Sequence, residues 1–160
     1  MNKFIPVLAL FFIAFTSCSP TKSMSDFYSK YDKQSTVIPL PKFAVNLAKK
    51  QTDAKIFEYI QSAKVFIITD AGKGKQNRVM RNLSSATKGD NYEQMVKMKH
   101  KNNNINASYL KDNEKINQLI LGVNGLRNVL VIDSKVNLTE EQLEEALNDI
   151  NISDLEDILK

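Results

Sequence analysis

The chain has no tryptophan, one cysteine and one histidine among its 160 residues. With Cys18 alone, no internal disulfide can close. With His100 alone, a zinc site of histidine and cysteine ligands is out of reach. Ser-His-Asp catalysis would rest on that one imidazole, which sits between Lys99 and Lys101, where like charges disfavour its protonation. His100 therefore reads as an exposed residue at a strand end. No D-x-D-x-D run exists to fold into a carboxylate calcium loop. Glycine is scarce, with five residues in all. The stretch "DAGKGKQN" (70–77) follows an apolar run and precedes a helical pattern, as a phosphate loop would. Yet the earlier glycine of the Walker arrangement is missing, and Gln76 stands after Lys75 where Ser or Thr would hold a metal. There is no internal repeat and no low-complexity tract.

A content of 42% hydrophobic and 25% charged residues suits one globular domain able to bury a core. The net charge of +4 is too weak to argue for a nucleic-acid partner. Its distribution says more. Residues 42–101 carry 13 basic and 5 acidic side chains, whereas residues 111–160 carry 5 basic and 11 acidic. Solvated faces of opposite sign explain this. A basic face meeting an anionic surface, such as lipid headgroups or an acidic partner, is the sharper alternative.

The lone cysteine marks a boundary. Met1-Asn2-Lys3 opens with a positive charge, Phe4 to Phe15 is apolar over 12 residues, and Thr16-Ser17 are small. That is the tripartite pattern of an export signal, too short to span a bilayer comfortably. The ending "FTSC" resembles the bacterial lipobox, with Phe15 where Leu is commoner. In such proteins cleavage precedes the cysteine, which then carries acyl chains. Each buried methylene contributes about 0.8 kcal/mol, so two or three chains anchor firmly. The reading is a signal peptide over 1–17, lipidation at Cys18, a polar tether over 18–26 and a single domain over 27–160. An uncleaved signal anchor is the alternative. Eight flexible tether residues would span about 15 Å and keep the domain close to the membrane.

Phe27 and Tyr31, at i and i+4, suggest a short helical lead-in. In "STVIPLPKFAVNLAKK", Val37 and Ile38 suggest a strand, but Pro39 and Pro41 each lack a ladder donor and restrict it to an edge. Pro41 suits the start of a helix, with Phe43, Ala44, Leu47 and Ala48 on one face. "QTDAKIFEYIQSA" continues or restarts helix through Ile56, Tyr59 and Ile60. "KVFIITD" reads as a strand buried on both sides, "AGKGKQN" as a loop, and "RVMRNLSSAT" as a helix through Val79, Met80 and Leu83. "YEQMVKMKH" and "INASYLK" alternate about "KNNN", a hairpin signal. "KINQLILGV" and "LRNVLVID" flank Asn124-Gly125, which predicts a tight turn with both residues at positive φ. Thr139 and Gln142 form a capping box for a helix lined by Leu143, Leu147 and Ile150. Ser153 and Glu156 repeat the box for a terminal helix. The order β-α-β-α-β-β-β-β-α predicts an α+β fold, a largely antiparallel sheet of five or six strands with helices on one face.

"FYSKYDK", "VIPLPKFAVNLA" and above all "YEQMVKMK" carry a resemblance to Bacteroidota lipoproteins with domain of unknown function 4252, from about Phe27 to Asp149. Pro41 stands where that pattern leads to Ser at the helix start, so the cap differs. The resemblance implies export, lipid anchoring and a small α+β domain. It implies no activity, no cofactor and no catalytic residue. "SPTKS" lacks the acidic residues that follow the cysteine in surface-exposed lipoproteins of that phylum, which points to an outer-membrane anchor facing the periplasm.

Two functions follow. The first is a non-catalytic envelope lipoprotein that meets an envelope protein partner or senses envelope state. The second is a binding module for an anionic small molecule or lipid headgroup, using Lys73, Lys75, Arg78 and Arg81, with binding through diffuse charge. An enzyme has only carboxylates behind it, and these cluster in the C-terminal helices where capping and solvation explain them.

Overall fold

The computed structural model describes residues 21–50, 55–100, 103–125 and 127–149. The elements run α1 (Met24–Tyr31), β1 (Ser35–Leu40), α2 (Lys42–Ala48), α3 (Ile56–Tyr59), β2 (Ile60–Ile68), α4 (Lys73–Gly89), β3 (Glu93–His100), β4 (Asn103–Asp112), β5 (Lys115–Asn124), β6 (Val129–Leu138) and α5 (Glu140–Asn148). The six strands form one sheet in the order β1-β2-β6-β5-β4-β3, and every neighbouring pair is antiparallel. This is the expected α+β class and strand number, with the antiparallel hairpin of β3 and β4 in place.

The helices are not confined to one face. Leu119 and Leu121 of β5 pack with Val45, Ile56, Leu143 and Leu147, from α2, α3 and α5. Ile120, between them, packs with Phe27, Val79 and Leu83, from α1 and α4. Successive strand residues point to opposite faces, so the sheet is covered on both sides. The near-continuous burial of β5 follows from this: alternation is lost where both faces of a strand are dry. Gly122 of β5 lies under α4, where an added Cβ would come within 2.6 Å of Leu83 Cδ2 and 2.9 Å of Met80 Cε.

Local chemistry sets the element ends. Ser23 Oγ accepts from the Asp26 N–H and starts α1. Phe27 and Tyr31 bury one stripe of it, and Asn82 Nδ2 donates to the Tyr31 hydroxyl at 2.7 Å. Thr21 is only 3% exposed, and a Cβ at Gly89 would collide with the Lys22 carbonyl. Thr21 and Met24, inside the stretch expected to be a tether to residue 26, are thus buried against the domain. Pro41 is the N-cap of α2 and has no side-chain bond to offer. The capping box of α5 is present: Thr139 Oγ1 accepts from Gln142 N–H, and Gln142 Oε1 accepts from Thr139 N–H. Leu143 and Leu147 are buried as expected, while Ile150 and the terminal box at Ser153 lie outside the described residues.

Three further expectations are corrected. Helix ends at Tyr59, and Ile60 opens β2, because Ile60 pairs with Val136 in the ladder. Lys73 and Lys75 stand in the first turn of α4 rather than on a loop, since Gly72 already caps that helix. Gly125 alone takes a positive φ, of 101°. Asn124 stays in β5, where its side-chain oxygen accepts from Asn104 Nδ2. Asn113, between β4 and β5, also takes a positive φ, of 57°.

Candidate functional site

The four cations expected to hold anions share α4 without converging. Lys73, Arg78 and Arg81 are exposed, while Lys75 is half-buried and its Nζ donates to the Thr69 carbonyl at 3.1 Å. One of the four is thus committed to the domain's own backbone. Cys18 lies outside the described residues, and so do the side chains of β3 from Val96 to His100.

Two tyrosines each gather a cluster of polar groups. Tyr28 donates to Asp133 Oδ2 at 2.7 Å and stacks on Phe66 with centroids 4.4 Å apart. Gln118 Nε2 donates to the other oxygen of Asp133 at 3.2 Å. Burial, then the hydrogen bond to Asp133, holds the Tyr28 phenol far above its ordinary range. Tyr92, pushed up to about 12, owes this to burial first and then to the charges of Asp133 and Asp90. On the opposite face the Tyr109 hydroxyl lies 2.7 Å from Glu140 Oε1 and 3.2 Å from Glu93 Oε2. Lys111 closes on the same Glu140 oxygen. Burial raises the Tyr109 phenol, with both carboxylates adding to it. A phenol held this high stays protonated at neutral pH, so it donates a hydrogen bond and does not act as a base. These clusters brace α1 and α5 to the sheet. Among the described residues no three His, Cys, Asp or Glu side chains group as metal ligands, and no helix is long and apolar enough to cross a membrane.

An open depression of about 1180 Å³ lies beneath the β4–β5 hairpin, lined in part by Leu110, Lys111, Glu114, Ile116 and Gln118. It has no enclosed polar focus of the kind that orients a small substrate.

The anomaly is at the β1 edge. Phe43 is 69% exposed, Leu47 58%, Val37 42% and Ile38 37%. Sequence periodicity places Phe43 and Leu47 on one stripe of α2, but it is Val45 that enters the core, at 1% exposure. A seven-residue helix over a sheet buries one stripe, and here the stripe with the ring and the leucine faces out. Val37 and Ile38 stand on opposite faces of an edge strand whose residues from Thr36 to Pro39 are all exposed. Their register is opposite Phe66 and Val65. Between residues 35 and 50 the only charges are Lys42, Lys49 and Lys50. The sequence signal for this corner was the Pro-bearing edge itself; nothing in the spacing told which stripe of α2 would win the core.

Residues 21–146 match the family described as domain of unknown function (DUF4252). The chain belongs to this family. No curated protein and no solved structure matches it. The DUF4252 match starts at Thr21 and ends at Ala146, and both side chains are buried.

Proposed function

We propose that this DUF4252 domain is a non-catalytic envelope lipoprotein of Bacteroidota type, anchored by acyl chains at Cys18 and working as an interaction or envelope-sensing module. Its working surface is the β1–α2 corner. The observation that carries this is the outward stripe of Phe43 and Leu47 on α2, preceded in the chain by exposed Val37 and Ile38 on the two faces of edge strand β1. Large apolar side chains grouped at an exposed sheet edge mark interaction surfaces rather than cores. The signal-like residues 1–17 and the position of Cys18 support the anchor and an outer-membrane site facing the periplasm. The rival reading, anion binding at Lys73, Arg78 and Arg81, has exposed charge behind it but loses Lys75 to Thr69.

Site-directed photocross-linking in intact envelopes tests the working surface. A photoreactive residue at Leu47 should form adducts, and one at exposed Glu144 on α5 should not. Equal labelling at both positions, or none at Leu47, would remove the reading.

A further inference from the structure

We propose that the β1–α2 corner rests on an anionic lipid bilayer, with Phe43 and Leu47 in the interface and Lys42 and Lys50 against headgroup phosphates. This names the occupant of the working surface proposed above and rests on that reading. The geometry comes from one row of paired residues crossing the whole sheet: Leu40, Ala63, Ser134, Leu119, Tyr109 and Glu93. The chain leaves β1 beyond Leu40 into Pro41 and Lys42. It enters β3 at Glu93 from Asp90, whose Oδ2 accepts from the Met24 N–H at 2.7 Å. The N-terminal entry of the domain and the start of α2 thus lie at the same end of the sheet. Six strands place them five spacings apart, roughly 24 Å at about 4.8 Å per strand.

Only residues 19 and 20 separate Cys18 from buried Thr21. A fully extended chain covers at most about 3.6 Å per residue, so Thr21 lies within about 11 Å of Cys18. An anchor at Cys18 holds this end of the domain against the headgroup layer, and α2 occupies the far corner of the same end. In the middle of that end, the β4–β5 hairpin carries Asp112 and Glu114 beside Lys115, while Lys111 is paired with Glu140. In the α2 corner Lys42, Lys49 and Lys50 precede the next acids of the sequence, Asp53 and Glu58, and Lys49 Nζ donates to the Glu58 backbone carbonyl at 3.0 Å. Exposed Lys42 and Lys50 flank Phe43 and Leu47 in sequence, and long cationic side chains there can reach headgroup phosphates. A strand-adding protein fits less well, because Pro39 removes one donor from the middle of β1. A lipid interface requires no donor ladder.

The absence of tryptophan makes the test direct. The full chain carrying Phe43→Trp is reconstituted in vesicles of phosphatidylethanolamine and phosphatidylglycerol with brominated acyl chains. Gln34→Trp, exposed before Ser35 at the other end of β1, is the control in the same chain. Emission from position 43 should shift to the blue and be quenched, while position 34 stays in water. Lys50→Gln should lower the fraction of buried probe about fivefold. An equal signal in phosphatidylcholine vesicles, or a position 43 that stays wet, overturns the lipid assignment. If position 43 stays wet while Leu47 still cross-links to a protein in envelopes, the working surface stands and only its lipid occupant falls. If Leu47 forms no adduct either, both fall.

Discussion

The hydroxyl of Tyr28 donates to Asp133 Oδ2 across 2.7 Å, joining α1 to β6 over a separation of 105 residues. The stack of Tyr28 on Phe66 of β2 makes it a three-element junction. Tyr28→Phe keeps the ring and removes the donor, leaving Asp133 with Gln118. A hydrogen bond to a charged group contributes about 2 kcal/mol, and the urea midpoint should fall accordingly at unchanged slope. A midpoint equal to wild type would show that water replaces the phenol without loss.

The same tyrosines set the alkaline limit. The folded pKa values of Tyr28 and Tyr92 are raised, so each contributes stability that is fully present below the unfolded value of 10.0. For Tyr92 that contribution is lost as pH rises from 10.0 to about 12, and for Tyr28 the loss continues further up. Phenolate absorbance should show both ionising together with unfolding. A reversible titration of all five tyrosines near 10.0, with circular dichroism unchanged, would contradict the burial of these two.

At the acid end Glu140 behaves oppositely. Lys111 first, then Tyr109, holds its carboxyl below the usual carboxylate range. Its contribution is present above the unfolded pKa of 4.5 and is lost as pH falls through the lower folded value. Glu140→Gln should flatten the acid limb of the stability curve below pH 4.5, and it should also weaken the upward shifts of Tyr109 and Lys111 that Glu140 sustains at the alkaline end. Parallel acid limbs in the two proteins would refute the pairing.

Thr139 and Gln142 satisfy each other's backbone donors at the start of α5. Thr139→Ala should cost about 1 kcal/mol, and Thr139→Ser much less. The check is the ranking of the two variants in urea.

Gly89 holds the entry chain close. An added Cβ meets the Lys22 carbonyl, which is backbone and has no flexible end to swing away. Gly89→Ala should release Thr21 and Lys22 from the end of α4 and speed hydrogen exchange at Met24, whose N–H is held by Asp90. Unchanged exchange there would mean the lead-in is held by α1 alone.

The end of the sheet that carries β1 into α2 was partly legible in sequence. Pro39 and Pro41 exclude a central strand by covalent structure, and β1 is an edge. Thr139 with Gln142 is a capping box in any context, because both partners lie within one helical turn. Local chemistry of this kind is complete within a few residues, so the sequence by itself determined it, together with the order of elements and the antiparallel α+β class.

What lay beyond it needed partners far apart in the chain. The alternation of Leu119, Ile120 and Leu121 cannot tell one covered face from two, because an apolar run looks the same whichever helices cover it. Glu93, Tyr109 and Glu140 are unremarkable singly and meet only when α5 crosses β4. Phe43, Leu47 and Val45 are all apolar on one short helix. Only the tertiary structure decided which stripe went inside, because the orientation of α2 is set by the sheet beneath it, where Val45 packs with Ala63 and Leu40. That choice left the ring of Phe43 in the open.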